Sequence, residues 1–141
     1  MIMNNDLDRF LYAQEFCYEK ALYEVKNGKK ESHWMWFIFP QIIGLGLSDT
    51  AMLYSISGIG EAKLYLEHEV LGPRLVEITK EVLALETDDP VEVFGEIDSL
   101  KLNSSMTLFD YVLGGDNVFK DVIDKFYDGQ KDEKTLQLIR K

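Results

Sequence analysis

Apolar residues recur every three or four positions over most of the chain, which is the spacing of amphipathic helices. Between Leu7 and Val25 this stripe predicts one helix of about five turns, capped by Asp6 and ended by Asn27-Gly28. Gln14 lies inside the stripe, where an apolar residue is expected. Its amide must find buried partners, so it either braces another element or points into a pocket.

The remaining helices are predicted from the same spacing together with cap and stop residues. Their boundary residues, in chain order, are Ser48 and Asp49, Gly72-Pro73, Asp89-Pro90, Phe94-Gly95, Asp98, Gly114-Gly115, Asn117 and Asp128-Gly129. No run alternates as a half-buried strand does, and no repeat or long linker divides the chain. We therefore predict a single all-α domain over residues 1–141, a compact bundle of about seven to nine helices. Its last few residues are expected to fray.

Composition and charge narrow the class of protein. The 141 residues, 16.3 kDa in mass, carry 15 Lys and Arg against 25 Asp and Glu, a net charge of −10 that disfavours binding to a nucleic acid backbone or an anionic membrane surface. One cysteine, Cys17, and two histidines exclude an internal disulfide and a cysteine-rich metal site, so we expect no metal. The start, MIMNNDLDRF, lacks the features of a signal peptide, and no apolar run reaches the ~20 residues of a membrane span. We expect a reduced, soluble, cytoplasmic protein without a cofactor. The sequence does not indicate which oligomeric state the protein adopts.

The run GKKESHWMWFIFPQ concentrates aromatic and ionisable residues, and it is either a buried short helix or a buried strand that ends at Pro40. Trp34 and Trp36 could form a stacking wall for a planar ligand, with His33 as acid, base or hydrogen-bond donor. Lys29 and Lys30 would then contact an anion at the mouth of the site. The alternative is that the aromatic residues are core, because large rings dominate packing energy.

The run DSLKLNSSMT is the second candidate for chemistry. On a helix, Lys101, Ser104 and Ser105 are spaced i, i+3 and i+4, so one ammonium and two hydroxyls share a face that suits a phosphate or a carboxylate. The alternative is a solvated face whose hydroxyls bond to the preceding turn. The catalytic candidates are His33, Asp98 and Lys101. The candidate ligand-binding residues are Gln14, Trp34, Trp36, Gln41, Lys101, Ser104, Ser105 and Thr107.

Several runs carry a resemblance over nearly the whole chain. SHWMWFIFPQ, SDTAMLYSISGIGEAKLYLEHEVLGPRL, FGEIDSLKLNSSMTLFDYV and KFYDGQKDEKTL resemble the bacterial domain-of-unknown-function family eighteen-ten. The resemblance implies a compact all-α domain and no established reaction; Asn103 stands where many relatives have a basic residue. Some members carry an automated calpastatin label, but inhibitory segments of that kind are disordered, whereas this chain is built to fold. On Glu61-Ala62, Leu71-Gly72 and Lys101 the chain is also faintly similar to all-α glycosidases that cleave N-ribosyl bonds, which implies an aromatic wall for a base and a lysine for a phosphate.

Two hypotheses of function follow. In the first, the chain binds or hydrolyses an anionic small molecule of the nucleotide or riboside type, in a pocket shared by the HWMWFIFPQ and KLNSSMT runs. In the second, it is a non-enzymatic domain whose aromatic residues bind a protein partner. A concave site shared by the two runs favours the first hypothesis, and a flat exposed one favours the second.

Overall fold

The computed structural model describes residues 7–141, and within that range it contains nine helices and no strand. The helices are α1 (Asp8–Glu15), α2 (Tyr18–Lys26), α3 (Met35–Ile38), α4 (Asp49–Leu53), α5 (Ile59–Glu67), α6 (Leu71–Leu83), α7 (Pro90–Leu113), α8 (Val118–Tyr127) and α9 (Glu133–Ile139). The predicted all-α fold is confirmed. In the range described, none of these helices is both long enough and apolar enough to cross a membrane. Asp6, the predicted first cap, lies outside the described residues.

Helix α7 packs against α5, α8 and α9, and α6 packs against α2, α5 and α8. The short α3 packs against α1 and runs through the aromatic part of the sequence. The largest fully buried side chains come from six of the nine helices in the described range and from segments between helices; they include Trp34, Tyr65, Phe10, Phe39, Phe109 and Phe119. The His33–Phe39 run is thus resolved as a short helix rather than a strand.

The prediction of one helix from Leu7 to Val25 is wrong. The chain turns at Phe16 and Cys17, where the Cys17 N–H donates to the Gln14 carbonyl three residues earlier instead of continuing the α-helical ladder. No glycine or proline marks this turn, and the apolar spacing continues across it. The pattern therefore records which side of each helix faces the core, but it does not record the change of axis between α1 and α2.

Three of the predicted caps are confirmed by their hydrogen bonds. The side chain of Ser48 accepts from the Ala51 N–H, that of Asp89 from Val91, and that of Asn117 from Lys120. Each satisfies one of the main-chain donors that a helix start leaves without an intrahelical partner. These starts are set locally, which is why the sequence alone locates them.

Helix α7 is interrupted at Gly95. Its main chain there has φ +83° and ψ 167°, outside helical geometry and in a region that favours glycine. The sequence predicts a new helix from Asp98, but the helix resumes directly after Gly95, so that Glu96 and Ile97 already lie in it. The break turns the first part of α7 away from the second and creates the recess described below.

Candidate functional site

A cleft of about 630 Å³ lies where the segment before and within α3 meets the break in α7. The residues that line it are Lys30, His33, Met35, Trp36, Phe94, Gly95, Glu96, Ile97 and Asp98. The tryptophan run and the segment around the break at Gly95 therefore share one concave site. No residue of the KLNSSMT run lines it, so this cleft is not the shared pocket that the first hypothesis describes.

The two tryptophans have different positions. Trp34 is 1% exposed, packs on the rings of Phe39 and Phe94, and donates its indole N–H to Glu24 at 2.9 Å. Trp36 is partly exposed and lines the cleft. Trp34 is therefore a core residue, whereas Trp36 forms an aromatic wall that a ligand can contact.

Asp98 pairs with two lysines, of which Lys30 lines the cleft together with Asp98 and Lys101 lies outside its lining. Its Oδ2 lies 2.8 Å from Lys30 Nζ, and its Oδ1 lies 3.7 Å from Lys101 Nζ. Lys30 also donates to the main-chain carbonyl of Ser32 at 2.6 Å. Lys101 Nζ lies 5.1 Å from the centre of the Trp36 ring, within the range of a cation–π contact. Charged groups thus lie directly beside the aromatic wall.

His33 is an exposed residue in the lining of the cleft, and its ring donates or accepts no hydrogen bond within the part of the chain that the structure describes. Neither ring nitrogen is therefore occupied by another residue of that part of the chain. Lys29 is exposed too, but it does not line the cleft. Of the two lysines predicted at the mouth, only Lys30 belongs to the cleft, and Asp98 holds it.

Glu24 is a buried carboxylate that organises the segment leading into the cleft. Its Oε1 accepts from the main-chain N–H groups of Glu31 and Ser32 at 2.7 and 3.0 Å and from the Trp34 indole, and its Oε2 accepts from the Ser32 hydroxyl at 2.6 Å. Burial alone would raise the pKa of Glu24, but these four hydrogen bonds together lower the pKa to about 2. The carboxylate is thus charged at neutral pH and fixes residues 31–34.

Two hydroxyls of the second candidate run, those of Ser104 and Thr107, bond to Asp132 at the start of α9, and neither they nor Ser105 line the cleft. Ser104 Oγ donates to Asp132 Oδ2 at 2.8 Å, and the Asp132 N–H donates to Thr107 Oγ1 at 2.9 Å. Ser105 is fully buried, and its hydroxyl has no hydrogen-bond partner among residues 7–141. The structure therefore brings Lys101 together with Asp98 and Trp36, but it does not bring Ser104, Ser105 or Thr107 to them. The carboxylate that the Ser104 hydroxyl contacts belongs to the chain itself.

Gln14 and Gln41, the two glutamines among the candidate residues, lie outside the lining of the cleft. Gln14 Nε2 donates to the Phe37 carbonyl at 2.8 Å and to the Tyr65 hydroxyl at 3.0 Å, and its Oε1 accepts from Arg74 at 3.4 Å. This network links α1 to α3, α5 and α6. Gln14 therefore braces other elements, which is the first of the two alternatives given for it. Gln41 lines a small recess of about 20 Å³ that Trp36 also lines, and its main-chain carbonyl accepts from the Ile56 N–H.

Sequence reasoning overlooked Glu24. One signal could have revealed it, since Glu24 follows Ala21 by three positions and so shares its buried side of α2. An acid at such a position needs several donors, and the polar segment Glu31-Ser32 follows soon after in the sequence. No comparable signal marks the pairing of Lys30 with Asp98, because that contact depends on how α7 lies against the loop.

We expect Asp132→Ala to release α9 from α7. The substitution removes the helix cap and the partner of Ser104, at a cost of about 2 kcal/mol in the free energy of unfolding. Hydrogen exchange of the α9 amides should accelerate more than that of α8. Glu133→Ala is the matched control, since Glu133 is exposed and makes only a 3.8 Å ion pair with Arg140. Equal exchange in the two variants would contradict the capping role.

The fold and the cleft together define an all-α protein in which a broken helix and a short aromatic helix border an ionic recess. The sequence profile of a family described as a protein of unknown function, DUF1810, matches residues 4–139, and the chain belongs to this family. The chain is similar to the conserved hypothetical protein Rv1873 from Mycobacterium tuberculosis, whose crystal structure matches with a TM-score of 0.94 at 44% identity and covers 96% of this chain and 97% of that one. No curated protein matches the chain significantly.

Proposed function

We propose that this protein binds an anionic small molecule of the nucleotide or riboside type in the cleft between α3 and α7. The observation that carries this proposal is that Lys101 and Asp98 lie beside an accessible aromatic wall, Trp36, in a cleft that His33 also lines. A flat ring would stack on Trp36, and an acidic group would bind Lys101.

The size and lining of the cleft support a small-molecule ligand. Its volume of about 630 Å³ is within the roughly 300–1,000 Å³ of typical ligand sites. Met35, Phe94 and Ile97 supply apolar surface, and Lys30, His33, Glu96 and Asp98 supply the polar groups. Such a site favours a ligand with a flat apolar part and a charged part over a fully polar one.

Hydrolysis of the bound molecule is the reaction that these residues could support. His33 is the candidate for moving a proton, because it is an exposed residue in the lining whose ring bonds to no other described residue. Asp98 is held between two lysines, so its most suitable role is to orient them and to stabilise charge near the reacting atoms.

A thermal-shift screen with nucleotides, ribosides and sugar phosphates tests the binding proposal. A ligand that binds only the folded chain raises Tm, and saturating ligand at about a hundred times Kd contributes roughly 2.7 kcal/mol. Trp36→Ala should abolish the shift. Tyr111→Ala is the control, since this exposed tyrosine lies about 20 Å further along α7 than Asp98, which lines the cleft. His33→Ala should keep the shift and lose any hydrolysis. A screen in which no compound raises Tm would contradict the proposal.

A protein-binding surface is the second candidate, and one observation favours it. Ile97 and Leu100, one turn apart on α7 at the rim of the cleft, are 71% and 70% exposed. Exposed apolar pairs of this kind are frequent in protein interfaces. Under this alternative, Leu100→Ser would abolish binding of a purified partner, whereas Trp36→Ala would not. Under the small-molecule proposal, Leu100→Ser leaves the ligand-induced Tm shift intact.

A further inference from the structure

We infer that the ligand of the cleft carries an oxyanion that binds Lys101 and replaces Asp98 as its partner, while Lys30 retains Asp98. This inference rests on the proposed function and specifies how the charged end of the ligand is recognised. The occupant of this position is a carboxylate or a phosphate, which share the chemistry of an oxyanion acceptor.

The two oxygens of Asp98 are engaged differently. The 2.8 Å distance from Oδ2 to Lys30 Nζ is that of a charge-assisted hydrogen bond, whereas the 3.7 Å distance from Oδ1 to Lys101 Nζ is too long for one. The side chain of Lys30 is 9% exposed and that of Lys101 is 28% exposed. Asp98 is therefore committed to the buried lysine and only attracts the accessible one.

The ammonium group of Lys101 consequently has N–H donors available for a ligand. Throughout residues 7–141 no acceptor receives a hydrogen bond from its ammonium group. Other lysines of the chain are better satisfied: Lys125 donates to the carbonyls of Leu83 and Leu85, and Lys131 lies 3.0 Å from Asp110. An ammonium with three donors beside an aromatic wall is a suitable partner for an acidic group.

The local charge permits an anion where the whole protein does not favour one. The chain carries −10, but two lysines and two acids meet here: Lys30, Asp98 and Glu96 line the cleft, and Lys101 lies outside the lining, beside Asp98. An anion that approaches Lys101 therefore meets a balanced local charge, although the lining alone holds one lysine against two acids. A doubly cationic ligand would gain little here, because Asp98 already pairs with Lys30.

Inorganic phosphate and acetate are the probes, and the NMR signals of the two indole N–H groups are the readout. Phosphate at Lys101 should shift the Trp36 signal, while the Trp34 signal, buried against Glu24, stays fixed. Lys101→Met should weaken phosphate binding by at least about tenfold, whereas Lys101→Arg retains it. Asp98→Asn should strengthen binding several-fold, because the competing carboxylate is gone. Lys120→Met, which removes a lysine paired with Asp124, is the matched control.

A comparison of phosphate with acetate distinguishes the two kinds of oxyanion. If phosphate shifts the Trp36 signal and acetate does not, the oxyanion is a phosphate, and the reverse result assigns a carboxylate. A Trp36 signal that responds to neither anion, or responds equally in Lys101→Met, overturns the inference. The proposed function is tested separately with an uncharged nucleoside: a Tm shift by the nucleoside together with an unresponsive Lys101 would retain the cleft and reject its oxyanion position.

Discussion

Trp34→Ala is expected to lower the free energy of unfolding by about 3–5 kcal/mol. Trp34 is almost fully buried, its ring meets two phenylalanine rings, and its loss leaves a cavity between the α2–α3 segment and α7. The substitution also removes one of the four hydrogen bonds to Glu24. Denaturant titrations followed by far-UV circular dichroism measure the loss.

Trp36→Ala serves as the comparison in the same titrations. Trp36 is partly exposed, so its truncation should cost only about 1–2 kcal/mol and should act mainly on ligand binding. A loss for Trp36→Ala as large as that for Trp34→Ala would mean that Trp36 is also core, and the stacking wall would lose its support.

Glu24→Ala is expected to cost about 3 kcal/mol, because four buried or half-buried donor groups lose the carboxylate that accepts from them. Glu24→Gln keeps an acceptor oxygen and the shape of the side chain, so it should cost less. Urea titrations at neutral pH compare the two variants. Equal stability of Glu24→Ala and the parent chain would show that residues 31–34 are held by other contacts.

The charge of Glu24 also gives the stability a pH dependence with a defined sign. Its pKa is lowered to about 2 in the folded chain, from an ordinary value near 4.5. The contribution of the carboxylate is therefore complete above pH 4.5 and is lost as pH falls through the folded pKa. The stability difference between the parent chain and Glu24→Gln should shrink over this window. A difference that is constant down to about pH 3 would contradict this assignment.

The fold was predictable from the sequence to the extent that its determinants are local. The caps at Ser48, Asp89 and Asn117 act within three residues, so their side-chain chemistry is visible in the sequence. The turn at Phe16-Cys17 was not predictable, because no special residue causes it. It arises where α1 packs on α3 and α2 packs on α6, contacts that bring together distant parts of the chain.

The candidate site was predictable in part for the same reason. Helical spacing correctly separates Lys101 from the buried stripe of α7, and composition alone singles out the tryptophan run. Spacing could not show that Asp132, 28 residues beyond Ser104, lies against the serine face and uses its hydroxyls. Nor could it distinguish Trp34 from Trp36, since a turn of helix near the surface buries one ring and leaves its neighbour accessible.

Lys30 bonds to α7 on both sides of Gly95. Its main-chain N–H donates to the Val93 carbonyl at 2.8 Å, and its ammonium pairs with Asp98 at 2.8 Å, so a single residue fixes the angle between the two parts of the helix. Both walls of the cleft are therefore held in place before a ligand arrives. Binding needs no slow rearrangement of the main chain, and the observed association rate is expected to rise linearly with ligand concentration, without the plateau that a preceding conformational step imposes.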